Sequence, residues 1–247
     1  MKFAGPLQAW GAESRYSERK TRHEPTKSGV VGLLAAALGR RRSDPVDDLA
    51  AMPLFVRTDQ PGHYEKDFQT ARQRKFNKVT QRWEPAQSLP LSNRYYLSDA
   101  IFIIGLEVPA EQLDYLATAL QRPAFPLFLG RRSCSPSEKI FLDALDDISP
   151  IAALKQLPWH ATSRALINKH LSDKSISCSL THDQIGDHDE YAALESICDY
   201  PISFSQEHRE YGWRTAIRTR VHVPNPHFRP EESVRNHDPM SLFEELR

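Results

Sequence analysis

The stretch from residue 25 to residue 38 places the strongest constraint on the fold. It starts as Pro25-Thr26-Lys27-Ser28-Gly29 and continues with the apolar run Val-Val-Gly-Leu-Leu-Ala-Ala-Ala-Leu, residues 30–38. The composition of this run is helical, and it has no polar side. The helix that we predict over residues 29–41 must therefore be buried on nearly its whole surface. Its first turn is consequently held rigidly by the core.

The start of this helix is a candidate anion site. Helix starts expose unpaired N–H groups and a partial positive charge, to which Lys27 adds a full charge. We expect Lys27, Ser28 and the N–H of Gly29 to bind phosphate. The eight residues ending at Ser28 lack both glycines of a nucleotide-binding P-loop, which argues against a nucleotide. The alternative is an ordinary capped helix whose lysine is solvated.

The charge of the chain is unevenly distributed, although its net charge is zero. Residues 1–98 contain 17 Lys+Arg and 10 Asp+Glu, a net charge of +7, and residues 99–247 contain 15 and 22, a net charge of −7. Two stretches account for the excess: residues 15–42 hold eight bases and two acids, and residues 66–94 hold seven and two. This asymmetry predicts an anion-binding surface on the first half.

The cysteines and the apolar runs exclude several classes of protein. Cys134, Cys178 and Cys198 are widely spaced and form no C-x-x-C pair, which argues against a structural zinc site. An odd number of cysteines fits a reducing compartment. The sequence shows neither a signal peptide nor an apolar run of membrane-spanning length. We therefore expect a cytoplasmic protein without a metal or other cofactor.

The order of predicted elements indicates the fold class. The first 130 residues alternate as strand, helix, strand, hairpin, strand, helix, strand, which matches an α+β, ferredoxin-like β-α-β-β-α-β arrangement. Besides the buried helix, the pattern predicts strands at 1–4, 54–58 and 100–106 and helices at 44–52, with Asp44 as N-cap, and from Pro109 to Pro123. Such folds frequently bind RNA, but a fold does not fix a function.

Residues 66–94 form a basic and aromatic insert in this order. Weak alternation places Arg72, Arg74 and Phe76 on one face of a strand, and neither face is apolar enough to enter a core. We predict a protruding hairpin, with a solvated surface loop as the alternative. The candidate RNA-binding residues of this insert are Arg72, Arg74, Lys75, Lys78, Arg82 and Trp83.

The domain organisation follows from these patterns. We predict a ferredoxin-like RNA-binding domain at 1–148 with the insert at 66–94, a smaller and mainly β C-terminal region at 149–223, and a flexible extension at 224–247. Within the C-terminal region, we expect a helix at 151–154 and a strand at 213–223.

Four sequence blocks resemble the Cas-five family, the CasD-type subunits of the type I-E CRISPR surveillance complex Cascade. In order, they are GPLQAWG at 5–11, PTKSGVVGLLAAALG at 25–39, RYYLSDA at 94–100 and PLFLGRRSC at 126–134. Each block is weak alone, but their order and spacing are specific. The resemblance covers residues 1–145 well and the remainder loosely.

The resemblance implies a fold of the repeat-associated RNA-binding superfamily. It implies a non-catalytic subunit that binds and kinks the 5′ handle of the crRNA and caps the complex for antiviral DNA interference. The hairpin then corresponds to a thumb that reaches toward the backbone subunit CasC. The large subunit CasA is a further implied partner, target DNA is contacted indirectly through the complex, and no membrane is involved.

Several residues within these blocks are candidates for direct contact with RNA. Arg131 and Arg132 follow a glycine and are suited to grip phosphate, unless one is in a structural salt bridge and the other is solvated. Aromatic rings stack on unpaired bases. Trp10 is a stacking candidate or a core residue, and only one of Tyr95 and Tyr96 is expected to reach RNA. Two more candidates are Gln8, for a base edge, and Arg94.

Two alternatives to RNA holding stay open. A metal-independent endoribonuclease that processes precursor CRISPR RNA needs a general base and a general acid. His23 and His63, with Tyr16 or Lys27, would be its residues, although no spacing links them into a recognised set. In type I-E systems, the resemblance implies that a separate subunit cleaves the RNA. The other alternative is a purely protein-binding scaffold.

Overall fold

The computed structural model describes residues 1–11, 18–88, 90–184 and 193–230. Within these ranges, helices and strands alternate along the chain. In chain order they are β1 (Lys2–Ala4), β2 (Leu7–Gln8), β3 (Glu18–Arg19), α1 (Lys27–Ala37), α2 (Asp47–Ala50), β4 (Leu54–Gln60), β5 (His63–Gln69), β6 (Arg72–Asn77), β7 (Arg82–Ser88), β8 (Ser92–Ser98), β9 (Ile101–Leu106), α3 (Ala110–Gln121), α4 (Pro150–Gln156), α5 (Arg164–Lys169), β10 (Ser175–Asp183), β11 (Ala193–Phe204) and β12 (Arg209–Pro224).

Six strands form one antiparallel sheet in the order β1-β9-β4-β10-β12-β11. This arrangement confirms the predicted α+β class. The C-terminal strands continue the sheet of the first half, because β10 pairs with β4 through the register Ser179↔Thr58 to His182↔Phe55. The predicted division at residue 148 is therefore not a boundary of the sheet.

The two faces of this sheet are covered by two separate hydrophobic cores. Alternation along β4 sends Leu54 and Val56 into the core that holds α1, whereas Phe55 enters the core that holds α4. Along β9, Phe102 and Ile104 face α1, and Ile103 faces the opposite core. β9 is thus apolar on both sides because both of its faces are covered.

Helix α1 confirms the buried helix that the apolar run predicts. The side chain of Thr26 caps it by accepting a hydrogen bond from the N–H of Gly29 at 3.2 Å. Val30 and Leu34 are almost completely buried. The second helix is shorter than predicted, and Asp44 is not its N-cap. The Asp44 carboxylate instead accepts from the N–H of Arg41 at 2.7 Å and closes the preceding turn.

A buried ion pair ties β4 to α4. Arg57 and Asp59 point to the same face of β4, with both side chains 0% exposed and Nε 2.7 Å from Oδ1. The remaining guanidinium N–H groups donate to the carbonyls of Leu154, Leu157 and Pro158 at the end of α4. The pair therefore satisfies the carbonyl groups that a helix end leaves without partners.

The first residues after β12 are anchored to the loop that follows α5. The Asn225 side chain donates to the carbonyls of His170 and Asp173, both at 2.8 Å. The rest of the predicted flexible extension, 231–247, lies outside the described residues. No helix in the described ranges has the length and apolar character required to cross a membrane.

Candidate nucleic-acid interface

Residues 63–98 fold into the predicted hairpin, which has two parts. β5 pairs with β8 to form its base, and β6 pairs with β7 to form its outer part. Among the described strands, β6 and β7 hydrogen-bond only with each other. Almost every described side chain of β5, β6 and β7 is exposed. The hairpin therefore contributes little to either core and offers its surface to a partner.

Two tight turns join this hairpin to the main sheet. Gly62 links β4 to β5 with a φ of +73°, and a Cβ there would lie 2.4 Å from the carbonyl oxygen of Ser98. Asp99 links β8 to β9 with a φ of +53°. The Gln60 side chain bridges the two turns by donating to the Asp99 carbonyl. Both ends of the hairpin thus leave the sheet at one point.

The register of β6 and β7 separates the outer part into two faces. Directly paired residues point to the same side, so the pairs Phe76↔Trp83 and Arg74↔Pro85 share one face. Arg72 joins them by alternation, as predicted. We call this the aromatic face, and among its described side chains there is no carboxylate. The opposite face carries Lys75 paired with Glu84 and Asn77 paired with Arg82.

The aromatic face presents two rings in contact with each other. Phe76 and Trp83 pack edge to face, with ring centroids 5.4 Å apart and planes at 60°. The Trp83 side chain is still 60% exposed. An exposed indole supported from the side by a second ring is suited to stack on an unpaired base.

The turn at the tip of the hairpin is held by side chains. Asn77 Oδ1 accepts from the N–H groups of Val79 and Thr80, and Glu84 Oε1 accepts from Asn77 Nδ2 at 2.9 Å. Lys78 is exposed within this turn. In the described chain, no ion pair involves any of the hairpin cations Arg72, Arg74, Lys75, Lys78 and Arg82.

Arg131 lies at the base of the hairpin, where it contacts β8 and β3. Its guanidinium stacks over the Tyr96 ring, 4.7 Å from the ring centroid. Its Nη2 donates to the carbonyl of Arg19 at 2.7 Å. Of the adjacent tyrosines, Tyr96 is buried and Tyr95 is half-buried, so Tyr95 is the one that can reach a ligand. Arg94 is half-buried beside them, and Arg132 is exposed.

The loop that carries Arg131 depends on the glycine before it. Gly130 has a φ of +85°, and a Cβ on this residue would lie 1.8 Å from the carbonyl oxygen of Ala9. Only glycine allows this approach. The loop therefore packs directly on the segment 7–10 and projects Arg131 toward the hairpin.

Arg19 belongs to this base, although the sequence patterns did not predict it. β3 pairs in parallel with β8, which places Arg19 beside Arg94. A two-residue strand gives no periodicity signal, and only the pairing with β8 reveals its position. The exposed ring of Phe68 on β5 was likewise not singled out.

The structure corrects the expectation of an open phosphate site at the start of α1. Lys27 Nζ lies 2.6 Å from Asp183 Oδ2, and the Lys27 N–H donates to Asp199 Oδ2 at 2.8 Å. Ser28 and Gly29 both bond to the Thr26 side chain. The helix start does bind an anion, but that anion is a carboxylate of the same chain. Lys27 is only 5% exposed.

Arg214 completes this buried network. It donates to Asp199 Oδ1 at 2.6 Å and to Asp183 Oδ1 at 2.5 Å. Burial alone would lower the pKa of Arg214, but the hydrogen bonds and negative charges of the two aspartates raise it above its usual value. Two cations thus face two anions, and the network links α1 to β10, β11 and β12.

Gln8 and Trp10 are core residues, which corrects their assignment as RNA contacts. Gln8 is 0% exposed and donates to the carbonyls of Phe3 and Ala100. Its Oε1 accepts from Trp10 Nε1 at 3.1 Å, and the Trp10 ring stacks on Phe3. No atom of either side chain is left for a base.

Among the described residues named for a nuclease, His23, His63 and Lys27 share no hydrogen bond or ion pair. Tyr16 lies outside the described residues, His63 is exposed at the start of β5, and Lys27 is held by Asp183. His23 instead pairs with Tyr64: its Nδ1 lies 2.7 Å from the phenol oxygen, and burial raises the pKa of Tyr64. The part of the chain that the structure describes holds no cluster of three or more groups suited to a metal ion.

Comparisons with known proteins agree on one family. A family model described as "CRISPR-associated protein (Cas_Cas5)" matches residues 1–217. The "CRISPR system Cascade subunit CasD" of Escherichia coli (strain K12) is 30% identical over 165 residues, which cover 62% of this chain and 74% of that protein.

Two solved structures are also similar to this chain. A chain described as "CRISPR RNA-guided surveillance complex" superposes with a TM-score of 0.70 at 28% identity, covering 90% of this chain and 89% of its own length. A second, described as "Crystal structure of Cas protein", superposes with a TM-score of 0.62 at 33% identity, covering 93% and 95%.

Proposed function

Because the chain belongs to the Cas5 family of CRISPR-associated proteins, we propose that it is a non-catalytic subunit of a CRISPR Cascade complex. In this proposal it binds and kinks the 5′ handle of the crRNA and caps one end of the complex during antiviral DNA interference. The similarity to a protein named as a Cascade subunit supports the assignment to this complex.

The observation that carries the RNA-binding proposal is the aromatic face of the hairpin. It combines two arginines without a paired carboxylate with an exposed indole. Phosphates are bound by such cations, and unpaired bases by such rings. A scaffold that bound only protein would not require cations and rings alternating on one strand face without an acid.

The fold supports a finer assignment, the ferredoxin-like unit. β1, α1, β4, β9 and α3 follow the order of that fold, and β1, β9 and β4 lie side by side in the sheet. The free edge of β1 is covered by the segment 137–140, through the bonds from Lys2 N–H to the Ile140 carbonyl and from Ser137 N–H to the Ala4 carbonyl. We propose that this segment takes the place of the fourth strand.

We propose CasC and CasA as the neighbouring subunits, with target DNA reached only through the assembled complex. The hairpin is the element available to the backbone subunit CasC, because its outer part contributes almost no buried surface within this chain. RNA bound between the hairpin and that neighbour would bend where the hairpin meets it.

The test is the affinity of the full chain for a labelled 5′-handle RNA as a function of salt. We expect the Arg72→Ala/Arg74→Ala variant to bind about tenfold more weakly at low salt, from roughly 0.7 kcal/mol for each of the two exposed arginines. The slope of log K against log salt should become shallower by about 0.7 for each phosphate that the variant no longer neutralises.

The matched control is Arg41→Ala/Arg42→Ala, which removes the same charge beyond the far end of α1. It should bind RNA like the wild type, because both arginines are exposed and neither belongs to the hairpin. Equal weakening by both double variants would mean that exposed cations in general attract the RNA and that the hairpin does not bind it specifically. No salt-dependent binding by the wild type would contradict the function itself.

The absence of catalysis is part of this proposal, and the His23–Tyr64 pair is the feature that could contradict it. A histidine 2.7 Å from a phenol oxygen could serve as a general acid and base on RNA. Incubating the chain with labelled repeat RNA in EDTA should leave the RNA intact. A discrete cleavage product that His23→Ala abolishes would establish the endoribonuclease instead.

A further inference from the structure

Two arginines at the base of the hairpin have buried donor atoms without acceptors. Arg94 Nε and Arg131 Nη1 are inaccessible to solvent and have no hydrogen-bond partner among the described residues. A buried donor left without a partner destabilises the folded chain, and more so when it is charged. Native structures rarely tolerate such groups without a reason. Both side chains are only half-buried as a whole, so a small turn of either guanidinium brings its unused donor to the surface, where a ligand can supply the acceptor.

Both arginine side chains lie on the same face of β8. Arg94 and Tyr96 are two residues apart on this strand, so their side chains point to the same side about 7 Å apart. Arg131 lies over the Tyr96 ring, and its Nη2 bonds to the carbonyl of Arg19, the residue that pairs with Arg94. Arg131 is thus fixed over the face of β8 that carries Arg94, by contacts that leave its Nη1 unused.

The acidic residues on this face do not neutralise the pair. Asp67 stands opposite Arg94 and Glu65 opposite Tyr96 in the β5–β8 register. Both are exposed, and neither forms an ion pair with either arginine within the described chain. The Asp67 carboxylate instead accepts from the Gln69 side chain at 2.6 Å. These charges weaken the general positive field, so the site favours an acceptor that bonds directly to the guanidinium groups.

We propose that Arg94 and Arg131 form a clasp that binds a single backbone phosphate of the RNA at the base of the hairpin. This inference rests on the proposed function and adds a defined subsite to it. Ionised phosphate oxygens accept hydrogen bonds from guanidinium groups with suitable geometry, and Arg holds them better than Lys. The stacked ring of Tyr96 keeps Arg131 in place before RNA arrives, which reduces the entropic cost of binding.

The clasp is tested with Arg94→Gln and Arg131→Gln in the full chain, against handle oligonucleotides carrying one uncharged methylphosphonate linkage at each position in turn. Each variant should weaken binding about tenfold to hundredfold. In the wild type, methylphosphonate substitution at one particular linkage should weaken binding by the same factor as each arginine variant does. The same substitution should have little further effect on binding by the Arg94→Gln/Arg131→Gln double variant. Arg122→Gln, an exposed arginine at the end of α3, is the matched control and should bind normally.

Arg94→Gln is the deciding variant, because the Arg94 side chain makes no hydrogen bond or ion pair in the described chain. Its midpoint of thermal unfolding should match the wild type, whereas Arg131→Gln also removes the stacking on Tyr96 and is judged on stability and affinity together. Wild-type affinity for both variants would overturn the clasp, as would equal effects at every linkage. If Arg72→Ala/Arg74→Ala still weakens binding, the proposed function survives that result.

A protein acceptor is the remaining way to satisfy these donors. If both variants keep full affinity for RNA but no longer co-purify with a subunit of the complex, the ligand is a carboxylate of that subunit. That outcome would also overturn the phosphate clasp.

Discussion

Replacing Arg57 with leucine is expected to lower the free energy of unfolding by about 3–5 kcal/mol. The substitution leaves the Asp59 carboxylate, which is 0% exposed, without its counter-charge. It also removes the donors to the carbonyls of Leu154, Leu157 and Pro158. Urea denaturation followed by circular dichroism measures the change, provided that unfolding is a single transition.

The double variant Arg57→Leu/Asp59→Leu separates the two causes. Removing both charges abolishes the uncompensated carboxylate, so the double variant should be more stable than Arg57→Leu alone. Arg122→Leu, at an exposed site, should change stability by less than about 0.5 kcal/mol. An Arg57→Leu protein as stable as this control would contradict the buried ion pair that ties β4 to α4.

Replacing Lys27 with methionine is expected to cost about 3–4 kcal/mol of stability while leaving RNA affinity unchanged. The ammonium is 2.6 Å from Asp183 in a buried network, and methionine preserves the volume without the charge. Two buried aspartates would then share the single charge of Arg214. Chemical denaturation gives the stability, and titration with the handle RNA at a temperature where the variant is folded gives the affinity.

Lys139→Met, which replaces an exposed lysine, is the control for this substitution and should affect neither quantity measurably. A Lys27→Met chain with wild-type stability but tenfold weaker RNA binding would restore the open phosphate site that the sequence predicts. The structure predicts the reverse pattern, because Lys27 is fully engaged by partners inside the chain.

Local patterns predicted the elements that depend on local information. The apolar run of α1, the double-sided burial of β9 and the alternation of β6 each appear within a few consecutive residues. Alternation of side chains along a strand predicted that Arg72, Arg74 and Phe76 share one face of the hairpin. The register Phe76↔Trp83 places Trp83 on that same face. These features depend on composition and period, which a sequence displays directly.

The errors arose where distant residues decide the role of a local motif. Lys27 looks like an anion-binding lysine until Asp183, 156 positions later, and Asp199, 172 positions later, fold against it. Gln8 looks like a polar reader of bases, but the carbonyl of Ala100 and the indole of Trp10 satisfy it inside the core. A pattern of neighbouring residues gives no information about such long-range pairings.

The base of the hairpin illustrates the same limit in the functional site. Arg19, Arg94 and Arg131 come from three separate segments, and only the pairing of β3 with β8 and the approach of Gly130 to Ala9 bring them together. The sequence analysis identified Arg94 and Arg131 as separate candidates and did not identify Arg19. Their arrangement, with two unpartnered buried donors, is a property of the fold alone.

In the proposed function RNA is held by the hairpin and its base, and photocrosslinking maps which residues lie against it. A 5′-handle RNA with photoreactive uridines is bound to the full chain, irradiated and mapped by mass spectrometry. We predict crosslinked peptides from residues 72–83 and from the segment around Arg131, with none from the start of α1. Crosslinks confined to other surfaces, with the hairpin peptides unmodified, would contradict the account.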